Sequence, residues 1–136
     1  MAVLDNTLQA LFNMAHKELI WKNATPTSSF LPQTIIYRNN ITLNDGDWIV
    51  VKYISFAGQY SGGIVLSEVG KSFAMDAVTG STGQYTGGYF ATGRAGTATK
   101  TGVIFYSPYF SASGGAWTLR DDYLAAIPAE IWLIGR

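Results

Sequence analysis

The sequence predicts a mainly β chain, an antiparallel β-sandwich of jelly-roll-like type preceded by one short N-terminal α-helix. Three observations predict it. From Gln33 onward, apolar and β-branched runs are broken at short intervals by Gly, Asn and Asp, the texture of strands joined by turns. Several of those runs alternate apolar with small or polar residues, the period of a half-buried strand. Only ahead of Trp21 does the apolar spacing become helical.

The helix is expected from about Asp5 to Leu19, where Leu4, Leu8, Leu11, Ala15 and Leu19 recur near helical spacing with no Gly or Pro between them. Counted from Met1, the steps alternate three and four over about two heptads, the seam of a short coiled coil. The helix then either packs on its own sheet or uses Leu4, Leu8, Leu11 and Ala15 to join copies of the chain or to dock on a larger partner. Residues 1–22 are thus expected to be a docking or oligomerisation segment and residues 23–136 the sandwich domain. Between them, Asn23-Ala-Thr-Pro-Thr-Ser-Ser-Phe-Leu-Pro32 carries two prolines and small polar residues, which favour extended chain.

Strands follow at about 34–38, 47–56, 63–69, 72–78, 89–95, 99–107 and 130–134. Phe73, Met75 and Ala77 should face one side of their strand and Ser72, Ala74 and Asp76 the other. Ile64 with Leu66, and Val103 with Phe105, make similar pairs. The run Trp48-Ile-Val-Val-Lys-Tyr-Ile does not alternate, as expected of a central strand covered on both faces by its own core or by a neighbouring subunit. Ahead of it, Asn44-Asp-Gly-Asp47 supplies the positive φ of a tight turn. Residues 79–102 are dense in Gly and Thr with interspersed Tyr, and Ser107 to Trp117 repeats that composition. Loops of this kind often carry recognition on a rigid sandwich.

With 136 residues, one core is expected. Hydrophobic residues make up 48% and charged residues 13%, against roughly 25% charged in ordinary soluble domains. So few charges leave apolar surface for a partner, and assembly into an oligomer is expected. Nine basic and nine acidic residues cancel, and no Lys/Arg stripe exists to bind a phosphate backbone, so nucleic acid is not expected as a partner. No apolar run approaches the roughly 20 residues of a membrane span, and Met-Ala-Val-Leu-Asp-Asn lacks the basic flank of a signal peptide. The absence of Cys removes disulfides and thiolate chemistry.

Chemical motifs do not assemble. Gly70-Lys71-Ser72 has Val65 where a phosphate loop needs its first glycine. His16 is the single histidine and falls in the expected helix, away from any nucleophile elbow. Asp45 with Asp47 suits a turn, and Asp121 with Asp122 suits a solvated loop beside Arg120. A calcium loop begun at Asp45 would need ligands where Tyr53 and Phe56 stand. Asn23-Ala-Thr25 and Asn40-Ile-Thr42 match glycosylation acceptors, which matter only in a secretory pathway. No enzyme, cofactor or metal is expected. What remains is aromatic: Tyr85, Tyr89, Tyr109 and Trp117 lie in Gly/Ser/Thr-rich segments with Arg94 nearby, a mixture suited either to binding sugars or proteins or to covering the sandwich ends.

Two phrases carry a resemblance. Leu19-Ile-Trp-Lys-Asn-Ala-Thr-Pro-Thr-Ser-Ser-Phe-Leu-Pro-Gln-Thr-Ile35 resembles the opening of a small domain of bacteriophage virion proteins, of the type Leu-Trp-x-Asn-x-x-Pro-x-Ser-x-Phe-x-x-Gln-x-Ile. Ile127-Pro-Ala-Glu-Ile-Trp-Leu-Ile-Gly135 is similar to that domain's closing phrase, and Gly46-Asp-Trp-Ile-Val-Val-Lys-Tyr53 takes the place of one of its strands. The resemblance implies a β-sandwich in a tail-fibre, baseplate or head-fibre protein on the particle surface, usually trimeric and without enzymatic activity. Its partners would be copies of itself, other virion proteins and a host-surface glycan. That domain commonly ends a longer fibre, whereas this chain opens with its own Met and helix, so a small separate subunit is expected. The alternative is a carbohydrate-binding module or lectin.

Overall fold

The computed structural model describes residues 7–8, 10, 12, 16–56, 62–79, 90–112, 118–119 and 123–135. Its described strands are β1 (Lys17–Lys22), β2 (Gln33–Ile36), β3 (Trp48–Phe56), β4 (Gly62–Glu68), β5 (Ser72–Thr79), β6 (Phe90–Ala98), β7 (Gly102–Phe105), β8 (Tyr109–Ala112), β9 (Thr118–Leu119) and β10 (Ala125–Ile134). They form a four-stranded sheet of order β1-β10-β3-β4 and a six-stranded sheet of order β2-β7-β6-β8-β9 with β5 on the other edge of β6. Every pairing is antiparallel. The sandwich arrangement of the sequence analysis fits.

The core lies between the sheets. Ile49, Val51 and Tyr53 of β3 and Ile131 and Leu133 of β10 meet Met75, Phe73, Val103 and Phe105 from the second sheet. On β5 the expected alternation is seen, with Phe73 and Met75 buried and Ser72, Ala74 and Asp76 exposed. Three rings, Phe30, Phe73 and Phe105, pack edge to face. Phe73 fits only because Gly96 opposite has no side chain, since a Cβ there would lie 2.6 Å from the ring. The 44–47 turn closes as expected, with Gly46 at φ 90° and the Asp47 carboxylate accepting from the Asn44 amide at 2.9 Å.

The N-terminal helix requires correction. Among the described residues ahead of β1, Thr7, Leu8, Ala10 and Phe12 have helical backbone, but a helix over 5–19 is not shown, because Lys17 to Leu19 are strand. β1 pairs with β10, from Lys17↔Ile134 to Lys22↔Glu130, so residues 17–22 belong to the sheet. The physical reason is that, after His16, Leu19 and Trp21 gain a ladder with β10 and Ile20, at the bulge between them, gains the core, which a helix would deny them. Of the seam residues, Leu4, Leu11 and Ala15 lie outside the described residues. Leu8 packs on a second, smaller core with Phe12, Val50 and Ile64, beside Trp132 and Ile134. That cluster covers the outer face of β3, so the strand expected to be buried on both sides is covered by its own chain.

Candidate functional site

Among the described residues, polar side chains gather around Arg94 in the interior and on the outer face of the six-stranded sheet. Arg94 in β6 is 1% exposed, and its guanidinium is spent on backbone carbonyls. Nε donates to Ala126 O at 3.0 Å, Nη1 to Tyr106 O at 2.9 Å and Nη2 to Ala125 O at 3.3 Å, with the Phe30 ring 5.3 Å away as a cation–π partner. Burial pulls its pKa down to about 10. Two of the three carbonyls it binds, those of Ala125 and Ala126, belong to a segment with unusual backbone, Tyr123 at φ 56° and Ala126 at φ 48°. Non-glycine residues hold such angles only where their surroundings enforce them. Here Arg94 does so together with the Phe30 amide, which donates to Tyr123 O at 2.9 Å.

Around this joint the two phrases of the phage resemblance come together. Trp21 pairs with Ile131, the Asn23 amide nitrogen donates to Ala129 O, and Asn23 Nδ2 donates to Pro128 O at 2.8 Å. Asn23 Oδ1 accepts from the Thr25 amide, turning the chain toward Phe30, whose ring meets Trp21 edge to face at 6.3 Å. The opening and closing segments are therefore one packed unit.

The second place is the outer face of the six-stranded sheet. Pairing sets three cross-strand rows there. Ser72 lies opposite Thr97, Ala74 opposite Ala95, and Asp76 opposite Gly93, which in turn faces Tyr109 of β8. Rows are about 7 Å apart along a strand and neighbouring strands about 4.8 Å apart. Ser72 Oγ, Thr97 Oγ1 and Tyr106 Oη form a chain of hydroxyls with 3.0 Å steps. Tyr106 and Tyr109 are three residues apart and would point to opposite faces of a regular strand. They do not, because Gly96 pairs with Phe105 and Gly93 with Tyr109, a three-residue step against a four-residue step. The extra residue is a bulge that brings both rings to the outer face. They are 42% and 40% exposed.

Gly93 completes the geometry. A Cβ at this position would stand 2.8 Å from Asp76 Oδ1, so the glycine lets the carboxylate lie across β6 toward the tyrosine strand. Small residues at Ala74, Gly93 and Ala95 make the floor between the rings and the carboxylate.

The expected binding residues fare differently. Tyr85, Tyr89 and Trp117 lie outside the described residues. Tyr109 is on the surface. Arg94 is a correction: expected as a charged contact beside the loops, it is buried in the sheet interior, because β6 runs on to Ala98 with Arg94 on the face shared by Met75. Sequence reasoning missed Tyr106, Thr97 and Asp76 as one surface. The alternation of β5 was a usable signal for Asp76, but none existed for the bulge. His16 is exposed, and among the described residues no three His, Cys, Asp or Glu side chains come together as a metal site would require.

No protein-family model matches the chain, and no curated protein or solved structure shows significant similarity to it.

Proposed function

We infer that the chain is a non-enzymatic structural subunit of a bacteriophage particle, of tail, baseplate or head-fibre type, acting as a trimer on the particle surface. The observation that carries the reading is the union of the two resemblance phrases. Trp21 and Asn23 from the opening and Pro128 to Ile131 from the closing interlock through the Trp21–Ile131 pairing and the two Asn23 bonds, with Phe30 packed on Trp21, as segments of one domain type would. The resemblance is the link to virions. The nesting of β1 with β10 around β2 with β7 supports the finer jelly-roll-like connectivity. Trp48 and Leu66, 43% and 37% exposed beside the Phe12 cluster, supply apolar surface suited to contact between copies.

Light scattering across a dilution series tests the assembly. A constant threefold mass is expected, and a stable monomer would remove the trimer. Immunogold labelling of particles released by cells carrying the gene tests the location, with label expected on the particle surface.

A second reading, a carbohydrate-binding module, is favoured by the paired tyrosines and hydroxyl chain on the six-stranded sheet. It is compatible with the first, since a particle subunit can also hold a host glycan.

A further inference from the structure

We propose that the outer face of the six-stranded sheet, and not only its Gly/Thr-rich loops, is a binding site for a neutral glycan, held between Tyr106 and Tyr109 on one side and Asp76 on the other. This rests on the carbohydrate-binding reading and assigns that reading a place.

The argument starts from what the bulge does. It spends one residue of β-ladder to turn Tyr109 out beside Tyr106, and at the same row a glycine makes room for a carboxylate to lie flat across the neighbouring strand. Sugar rings present an apolar C–H face and a rim of hydroxyls that both donate and accept. Tyrosine rings on a flat floor of Gly93 and Ala95 suit the C–H face. The exposed Asp76 carboxylate accepts from two adjacent hydroxyls, and charge-assisted bonds of this kind are stronger than neutral ones. The Thr97–Tyr106 hydroxyl pair supplies groups able to donate or accept, which a polyol can match in either sense.

Charge selects among ligands. Among the described residues of the rows set by Ser72, Ala74 and Asp76, Asp76 is the only charged one, so an anionic sugar or a nucleic-acid backbone would meet like charge there. Around Asp76 and Tyr109 the face offers two half-exposed rings beside alanine and glycine, a smaller apolar centre than a protein partner would want, and the exposed Ile36 lies away at the β2 edge. The outer face of the other sheet, with Trp48, Leu66 and the Phe12 cluster, has the larger centre instead.

The test is a printed array of neutral and acidic oligosaccharides probed with the full chain, followed by titration of the strongest ligand against four variants. Binding to neutral glycans is expected. Asp76→Asn and Tyr109→Ala should each weaken it by about tenfold or more, while Trp48→Ala on the opposite sheet leaves it unchanged. Circular dichroism of each variant checks that the fold is kept. Binding that survives Asp76→Asn and Tyr109→Ala but is lost with Trp117→Ala would overturn the sheet-face site while leaving a loop lectin standing. Silence across the array would overturn both, and so would preference for acidic sugars overturn the ligand class.

Discussion

The two sheets show different outer faces to the world, and the difference separates what the chain uses to hold itself together from what it keeps for a partner. On the four-stranded sheet the outer positions are Val50, Ile64, Trp132 and Ile134, and the chain brings its own Phe12 back over them. That ring is 3% exposed, meets Trp132 edge to face at 5.5 Å and sits under the ammonium groups of Lys52 at 4.5 Å and Lys17 at 5.0 Å. On the six-stranded sheet the outward positions of β5, β6 and the bulge before β8 are Ser72, Ala74, Asp76, Thr97 and two tyrosines, with Ile104 and the exposed Ile36 toward the β2 edge and no described element laid across them. A face that must be covered is written in large apolar residues, whereas a face left open can be small, hydroxylated and specific.

Between the faces, Arg94 and Tyr53 tie one sheet to the other, the first from β6 to Ala126 and the second from β3 to Asp76 O at 2.8 Å. Arg94→Ala should have the largest effect of any single change, because it strips three carbonyls of their donor and leaves the positive-φ segment at 123–126 without its brace. A loss of about 3 kcal/mol or more in urea unfolding is expected, at roughly 1 kcal/mol or more per unsatisfied carbonyl. Because Nη1 binds Tyr106 O, the same change should also blur the amide signals of 106–109 while those of β3 and β4 stay sharp. Equal broadening in both sheets would mean that the joint does not serve the open face in particular.

Phe12→Ala comes next and bears on the comparison directly. Removing the buried ring should cost about 2–3 kcal/mol, below the full core value because one side of the site can relax toward solvent. It should also raise binding of a hydrophobic dye, since Val50, Ile64 and Trp132 become accessible beside Trp48 and Leu66. If stability falls by no more than for a change on the open face, the two outer surfaces are not different in kind.

Much of this architecture was legible in the residues. The alternation in 72–76, the Asp-Gly turn at 45–46 and the non-alternating run at 48–54 pointed to the right strands and, for β3, to burial on both sides. Two kinds of information were not local. Leu19 continues the spacing of Leu8 and Leu11 and so extends the helical reading into β1, and only the partner strand β10, more than a hundred residues away, decides that Ile20 and Trp21 extend. Of β10, the sequence reads only 130–134 as strand, and the half ahead of it carries Pro128. It sits at the register shift between Pro128 and Glu130, where a missing N–H interrupts nothing, and its carbonyl is taken by Asn23. Arg94 misled for the same reason: a charged residue among Gly and Thr reads as exposed unless the carbonyls that will receive it can be seen.

Alkali offers a gentler probe of the interior. Tyr37 is buried, its hydroxyl donating to Thr99 O at 3.0 Å, and burial holds its pKa well above the usual tyrosine value. The folded state therefore keeps a proton that the unfolded chain gives up near pH 10, so this contribution is whole below about pH 10 and is lost as the pH rises beyond it. Arg94 acts in the opposite sense, its pKa lowered to about 10, and is present in both members of a comparison between wild type and Tyr37→Phe. At neutral pH the variant should lose about 1 kcal/mol with its hydrogen bond. From pH 10 upward its stability should fall less steeply than wild type, and parallel curves would show that Tyr37 ionises in the fold.

The smallest effect is expected where the open face matters most for binding. Asp76→Asn keeps the side-chain shape over Gly93 and alters an exposed carboxylate, so stability should change by no more than about 0.5 kcal/mol. Gly93→Ala is the companion change. The added Cβ would press on Asp76 Oδ1, which can swing away, and stand 3.2 Å from Met75 O, which cannot. A cost near 1 kcal/mol is expected from backbone crowding, partly offset by the lower chain entropy of alanine in the unfolded state. The informative outcome is the pair taken together: Gly93→Ala should displace the carboxylate and cost glycan affinity as Asp76→Asn does, although one change touches charge and the other only space. If Gly93→Ala leaves affinity intact while Asp76→Asn removes it, the carboxylate acts from a position that does not depend on lying across β6, and the face is less rigidly set than the glycine implies.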